Sequence, residues 1–99
     1  MKTTTDKLAG QCDSVASLLK AIAHPQRLKI LCCLVEGECT VSQLEAACGS
    51  SQSSVSQYLS KMKAEGLLSS KREAQNVYYK IESSELLKLM KSMQRIFCE

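Results

Sequence analysis

Tryptophan is absent, and phenylalanine, proline and histidine occur once each, at Phe97, Pro25 and His24. Aromatic residues make up 4% of the chain against 44% hydrophobic residues, so the core is left to Leu, Ile, Val and Met, as in a small helical domain. No apolar run is long enough to span a bilayer, and the stretch from Met1 to Lys7 leads into no signal-type apolar block. The expectation is a cytoplasmic protein with no membrane partner. Repeats and low-complexity blocks are missing as well. The six cysteines, Cys12, Cys32, Cys33, Cys39, Cys48 and Cys98, offer no C-x-x-C or C-x-C pair. That spacing argues against a simple zinc site. It also argues against a small thiol oxidoreductase, which would need strand–helix alternation around such a pair. No metal site and no cofactor are expected. In a reducing compartment the cysteines rest as thiols, open to packing, metal binding or redox chemistry.

What is present fits one domain of 99 residues. The net charge of +3 is unevenly spread. Residues 1–50 and 82–99 are each balanced. The excess lies in residues 51–81, where Lys61, Lys63, Lys71, Arg72 and Lys80 face only Glu65 and Glu73. A local basic surplus is the footprint of a phosphate-facing surface.

The chain reads as helix, helix, helix, helix, hairpin, helix. Residues 1–10 are polar and predict a flexible tail, leaving 11–99 as the folded domain. From about residue 11, Cys12, Val15, Leu19 and Ile22 share a stripe with Leu18 beside it. This helix stops before Pro25, because a residue preceding proline is pushed out of the helical region. Pro25 then opens a second helix with His24 in the capping position. That helix is apolar nearly all round, through Leu28, Ile30, Leu31, Cys32, Cys33, Leu34 and Val35, as a central helix is. Gly37 ends it. Thr40 or Ser42 can cap a short third helix closing at Cys48-Gly49. Ser50-Ser51 turns into a fourth, running to Glu65. Two helices joined by a tight glycine turn form a helix-turn-helix. After Gly66, the runs 67–72 and 77–81 are strand-like, with Val77, Tyr79 and Ile81 alternating against Tyr78 and Lys80. They predict a two-stranded wing whose tip carries Lys71, Arg72, Gln75 and Asn76. A last amphipathic helix from Ser83 to about Phe97 carries Leu86, Leu89, Met90, Met93 and Phe97 on one stripe. The fold class is therefore mainly α with a small β-hairpin, a winged helix-turn-helix of about five helices.

The fourth helix has two unlike sides. Val55, Leu59 and Met62 form a narrow apolar stripe that can seat it on a core. Gln52, Ser53, Ser54, Ser56, Gln57 and Ser60 supply neutral donors and acceptors. An ordinary solvated face would carry Glu/Lys pairs instead. A neutral hydrogen-bonding surface suits the floor of a DNA major groove, where side chains match base edges. Alone, the helix reads equally as a serine-rich surface; the charge distribution, the turn before it and the wing after it favour DNA contact. Gln52, Ser53, Ser54, Ser56, Gln57 and Lys61, with Lys71, Arg72, Gln75 and Asn76 of the wing, are the candidate contacts.

Several runs together resemble the ArsR family of winged-helix bacterial regulators over residues 12–98. They are Leu19-Lys20-Ala21, Ala23-His24-Pro25-Gln26-Arg27-Leu28-Lys29-Ile30-Leu31, Ser51-Gln52-Ser53-Ser54-Val55-Ser56-Gln57-Tyr58-Leu59, Glu65-Gly66-Leu67, Arg72-Glu73 and Val77-Tyr78-Tyr79. The resemblance implies a homodimer built on the first and last helices, binding an imperfect palindrome of double-stranded operator DNA. A metal site of this family uses a Cys-Val-Cys run at the start of the third helix. Here that run is Thr40-Val41-Ser42-Gln43-Leu44, without either thiolate. A second family site needs Asp and His on the last helix, which has neither. Cys32 after Ile30-Leu31, Cys98 near the chain end and the wing run Glu73-Ala74-Gln75 resemble the BigR/SqrR/HlyU branch, which senses persulfides, polysulfides or other oxidants. The resemblance implies that reactive sulfur species join Cys32 to Cys98 and lower operator affinity. Taken singly, Cys32 reads as core filler. Cys12 reads as packed at the dimer contact, Cys33 as packing or a competing thiol, and Cys39 and Cys48 as incidental. Three other functions compete: a repressor sensing thiophilic metal or metalloid ions, a small thiol oxidoreductase, and a winged helix serving only protein contacts.

Overall fold

The computed structural model describes residues 4–98, with side chains from residue 7 onward. His24 and Pro25 set its first corner. Helix α2 (Cys12–Ile22) ends just before them, and α3 (Pro25–Leu34) begins with Pro25 in its first turn. The His24 ring accepts the Gln26 N–H at 3.2 Å through Nδ1, so the imidazole serves as the N-cap. Upstream, where the sequence predicts a loose tail, Thr4–Ala9 form a six-residue helix, α1. Lys7, Leu8 and Ala9 are all good helix formers. The Gln11 N–H closes the turn onto the Leu8 carbonyl at 2.9 Å. Residues 1–3 of that tail lie outside the described residues.

Helix α3 is the central one. Ile30, Leu31 and Leu34 are buried, while Cys32 faces outward. A two-residue strand, β1 (Cys39–Thr40), follows and leads into α4 (Val41–Cys48). Thr40 and Gln43 form a reciprocal capping box: the Gln43 N–H donates to Thr40 Oγ1 at 3.2 Å, and the Thr40 N–H donates to Gln43 Oε1 at 2.8 Å. Gly49, at φ 65°, makes the left-handed turn out of α4. Ser51 then caps α5 (Gln52–Ala64) by accepting the Ser54 N–H at 3.3 Å.

Strands β2 (Leu68–Glu73) and β3 (Asn76–Ile81) pair antiparallel from Leu68↔Ile81 to Glu73↔Asn76. β1 pairs on the other side of β3, with Cys39 opposite Tyr79 and Thr40 opposite Tyr78, giving the order β1-β3-β2. The expected two-stranded wing is thus a three-stranded sheet. Two residues are too short for alternation to reveal a strand, and β1 exists only through its pairing with β3. Helix α6 (Ser84–Cys98) closes the chain, burying Leu86 and Met90.

The periodicity places α2 slightly wrongly. Ile22 is buried and Leu18 and Ala21 pack on the core, but Leu19 and Cys12 are exposed. Leu8 on α1 and Ile96 and Phe97 on α6 are exposed as well, Phe97 at 79%. The molecule is elongated, 54 × 30 × 21 Å.

The β2–β3 turn holds a non-glycine residue at positive φ, Ala74 at 55°. In a two-residue hairpin loop with φ positive at its first central position, glycine is the ordinary occupant. Ala74→Gly should therefore raise stability by about 1 kcal/mol, read as a higher urea midpoint with an unchanged slope. A lower midpoint would mean that Ala74 is unstrained.

Candidate nucleic-acid interface and cysteine cavity

Helix α5 is oriented by what it buries. Val55, Leu59 and Met62 are each 0% exposed. Three polar contacts from the α2–α3 corner hold it along its length. At its start the Ser50 hydroxyl donates to Gln26 Oε1 at 2.8 Å. Midway, the Tyr58 and His24 rings lie 5.1 Å apart at 51°, with Tyr58 Oη 3.4 Å from His24 Nε2. At its end Arg27 pairs with Glu65 at 3.0 Å while also donating to the Ala21 carbonyl at 3.1 Å. Sequence reasoning missed this clamp, because its partners are distant in the chain and unremarkable singly.

With the apolar stripe inward, Gln52, Ser53, Gln57, Ser60 and Lys61 are exposed. Ser54 and Ser56 are half-buried. The Ser54 hydroxyl takes a hydrogen bond from Ser51 at 3.1 Å, and the Ser53 hydroxyl lies 3.4 Å from the same atom. Ser54 thus belongs to the capping cluster at the helix start, where N–H groups and the helix dipole favour an anion. Gln52, Gln57 and Lys61 remain the far-reaching side chains of the outer face.

The wing differs in charge from its sequence reading. Lys71 is exposed but sits between two carboxylates, Glu73 at 3.1 Å and Glu38 at 3.3 Å. Glu73 first, and then Glu38, push its pKa up and hold the ammonium charged. Much of its field is met within the protein. Lys63, absent from the sequence candidates, spans from α5 to the wing by donating to Ser70 Oγ at 2.7 Å. Arg72, Gln75 and Asn76 are exposed at the tip, and Lys61 and Arg72 form no salt bridge among the described residues.

A cavity of about 330 Å³ opens between α3 and α6. Leu28, Val35, Met90, Met93 and Phe97 line it with Gln94, and both Cys32 and Cys98 reach it. Cys32 is open to solvent on one side, yet burial on the other pushes its thiol up, and the neighbouring Cys33 and Cys98 add to the effect. Cys12, expected at the dimer contact, is exposed on the single subunit. Cys39 donates weakly to the Cys33 and Gly37 carbonyls, each at 3.7 Å. Cys48 is buried, and that burial, with the neighbouring Cys33, pushes its thiol up while Lys29 opposes the shift. Among the described residues no group of three or more His, Cys, Asp or Glu side chains is disposed to hold a metal ion. At the Thr40–Leu44 run, Thr40 and Gln43 cap α4 instead.

A helix-turn-helix flanked by a hairpin, with a neutral outer face on its second helix, defines a winged helix-turn-helix of the DNA-binding class. Residues 24–70 match the model described as "Bacterial regulatory protein, arsR family". The Biofilm growth-associated repressor of Xylella fastidiosa is 33% identical over 95 residues, covering 96% of this chain and 83% of its own length. The "Transcriptional activator HlyU" of Vibrio cholerae is 38% identical over 82 residues, 83% of this chain and 76% of its own. The crystal structure of the transcriptional repressor BigR from Xylella fastidiosa matches with a TM-score of 0.89 at 32% identity, covering 98% of this chain and 99% of that one. A solution structure described as a homodimeric winged helix-turn-helix DNA-binding domain, from Mycobacterium bovis, matches at 0.74 with 32% identity over 97% of this chain and 89% of that one. The chain belongs to the ArsR family and is a transcriptional regulator. These relatives are regulators and not enzymes, which sets the oxidoreductase reading aside.

Two measurements follow from the geometry. Gln57→Ala should weaken specific DNA binding by about 1–3 kcal/mol, and Lys61→Ala should flatten the salt dependence by about one released counterion. Lys71→Ala, its charge already shared with Glu38 and Glu73, should flatten it less. Equal slopes for the two lysine variants in a fluorescence-anisotropy titration would contradict that ranking. For the thiols, the nucleophile is the thiolate, and a raised pKa keeps Cys32 protonated at neutral pH. Iodoacetamide should label Cys32 slowly at neutral pH and accelerate only above the range of a free cysteine peptide. Rapid neutral labelling in the mass spectrum would contradict it.

Proposed function

We propose that this regulator is a cytoplasmic homodimeric repressor that binds an imperfect palindrome of operator DNA through α5 and the wing. On this reading it releases the DNA when Cys32 and Cys98 react with persulfide, polysulfide or a related oxidant. One observation carries the sulfur part: thiols from distant parts of the sequence, on α3 and α6, line one apolar cavity. The exposed Leu8, Leu19, Ile96 and Phe97 support a partner subunit across α1, α2 and α6.

The chemistry balances with the persulfide as donor. A Cys98 thiolate attacks the outer sulfur of RSSH, giving Cys98–SSH and RSH. Cys32, deprotonating as it reacts, attacks that persulfide and closes a disulfide with release of hydrogen sulfide. If both cysteines are first persulfidated, their condensation leaves a trisulfide bridge and hydrogen sulfide. The cavity has room for the added sulfur, which a direct bond would not need. Cys98, exposed on α6, is open to the first attack; Cys32, held protonated by burial on one side, is the second. Joining α3 to α6 would bias the dimer away from its DNA-binding arrangement, a population shift.

The test is a gel shift on the region upstream of its own operon, with reduced protein and with protein treated with glutathione persulfide, diamide or arsenite. Persulfide should lower affinity by about 5- to 150-fold, the span of an ordinary coupling energy of about 1–3 kcal/mol. Cys32→Ser and Cys98→Ser should each abolish the response. Unchanged affinity, or a wild-type response in Cys98→Ser, would overturn the sulfur switch; release by arsenite alone would favour a metalloid sensor.

A further inference from the structure

The walls of the α3–α6 cavity are uncharged. Leu28, Cys32 and Val35 fall at i, i+4 and i+7, one face of α3 continued into its C-cap. Met90, Met93 and Phe97, at i, i+3 and i+7, supply the facing side of α6. Apart from the two thiols and Gln94, every lining side chain is a hydrocarbon or a thioether. Gln94 and Glu36 are both exposed, and Gln94 Nε2 donates to Glu36 Oε1 at 3.4 Å. The polar edge of the cavity therefore presents a carboxylate and no cation. Consistently, burial and the neighbouring Cys33 and Cys98 hold the Cys32 thiol up, and no cation among the described residues lowers it.

We propose that this cavity selects its sulfur donors by their hydrocarbon, admitting small uncharged polysulfanes such as dialkyl trisulfides in preference to carboxylate-bearing carriers of the glutathione type. The proposal rests on the Cys32–Cys98 reading above and names which donors reach that pair. Two effects act in the same direction. Each methylene moved from water onto apolar walls multiplies binding by up to about fourfold. A carboxylate brought to the same walls loses hydration, finds no cation in return and meets Glu36 at the edge. The volume of about 330 Å³ suits a short alkyl chain, and the flexible thioethers of Met90 and Met93 adapt to its shape.

A dialkyl trisulfide, RSSSR, supplies both the oxidant and the bridging sulfur. The Cys98 thiolate attacks the central sulfur, giving Cys98–S–S–S–R and RS⁻, which takes up a proton. Cys32, losing its proton as it reacts, attacks the middle sulfur of that mixed trisulfide and expels a second RS⁻. Two thiols and RSSSR have become a Cys98–S–S–S–Cys32 bridge, its central sulfur the donor's, and two RSH. The dithiol is oxidised by two electrons and the donor is reduced by two.

The experiment treats the full reduced chain with dimethyl, diethyl, dipropyl and glutathione trisulfides. Trypsin places Cys32 in the peptide of residues 30–61 and Cys98 in the peptide that begins at Ile96. The rate of appearance of these two peptides joined through one added sulfur is read by mass spectrometry. Each rate is divided by that of the same carrier with N-acetylcysteinamide, which removes intrinsic reactivity. The normalised rate should rise from dimethyl to dipropyl by up to about fourfold per methylene, with glutathione trisulfide below dimethyl. Gln94→Arg, an exposed change at the edge, should raise the glutathione rate and leave the alkyl order intact. Equal rates along the alkyl series, a glutathione rate matching the dipropyl one, or no gain in Gln94→Arg would each refute the selectivity. A gel shift on the same samples reads the switch separately. Bridged protein that still binds operator would remove the switch and leave the selectivity standing; equal rates accompanied by DNA release would do the reverse. No bridge with any carrier would remove both.

Discussion

Burial of Val55, Leu59 and Met62 is the constraint on which the remaining structure depends. Each such side chain stabilises the fold by about 1.5–3 kcal/mol when fully removed from water. The polar contacts around α5 are weaker. A part-exposed ion pair such as Arg27–Glu65 contributes about 0–1 kcal/mol, and a hydrogen bond about 0.5–1.5 kcal/mol. Burial therefore fixes the rotation of α5, and the clamp of Gln26, His24 and Arg27 refines its tilt. With the apolar stripe committed inward, the opposite face, carrying Gln52 and Gln57, has no direction but outward. The placement of that polar face follows from the core and needs no separate device to aim it.

Features with local causes were legible in the sequence. Pro25 and His24 mark a corner because proline dictates its neighbours' geometry. Ser51 and Gly49 mark a cap and a turn, and the Val77–Ile81 alternation marks a strand. The outer face of α5 could be written down from spacing alone. What could not be read came from residues meeting across the fold. β1 is a strand only because β3 lies beside it. Glu38 pairs with Lys71 from the loop before β1, so a charge tally assigned the wing a freer cation than it has. Leu18 and Leu19 compete for the inner side of α2, and periodicity cannot choose between neighbours when one subunit buries only part of the helix.

The cysteines sort by helix side more than by sequence position. α3 turns Cys32 toward the cavity shared with α6 and packs Cys33 against the core. Each placement keeps a thiol partly out of water, which slows random oxidation and leaves reactivity to molecules that can enter. Packing and chemistry are not alternatives here, because the apolar walls that make a cysteine good filler also set its protonation state.

Thr40 holds two positions at once. It caps α4 through its side chain, and its backbone pairs with Tyr78 in β3. The start of the helix-turn-helix and the wing are thereby pinned to one residue. A head built this way carries a fixed ruler. The placement of the wing against the start of α4 is set by a strand two residues long. If the proposed α5 and wing contacts are made, half-sites with a base pair inserted between them would be rejected on geometry, before any base is read.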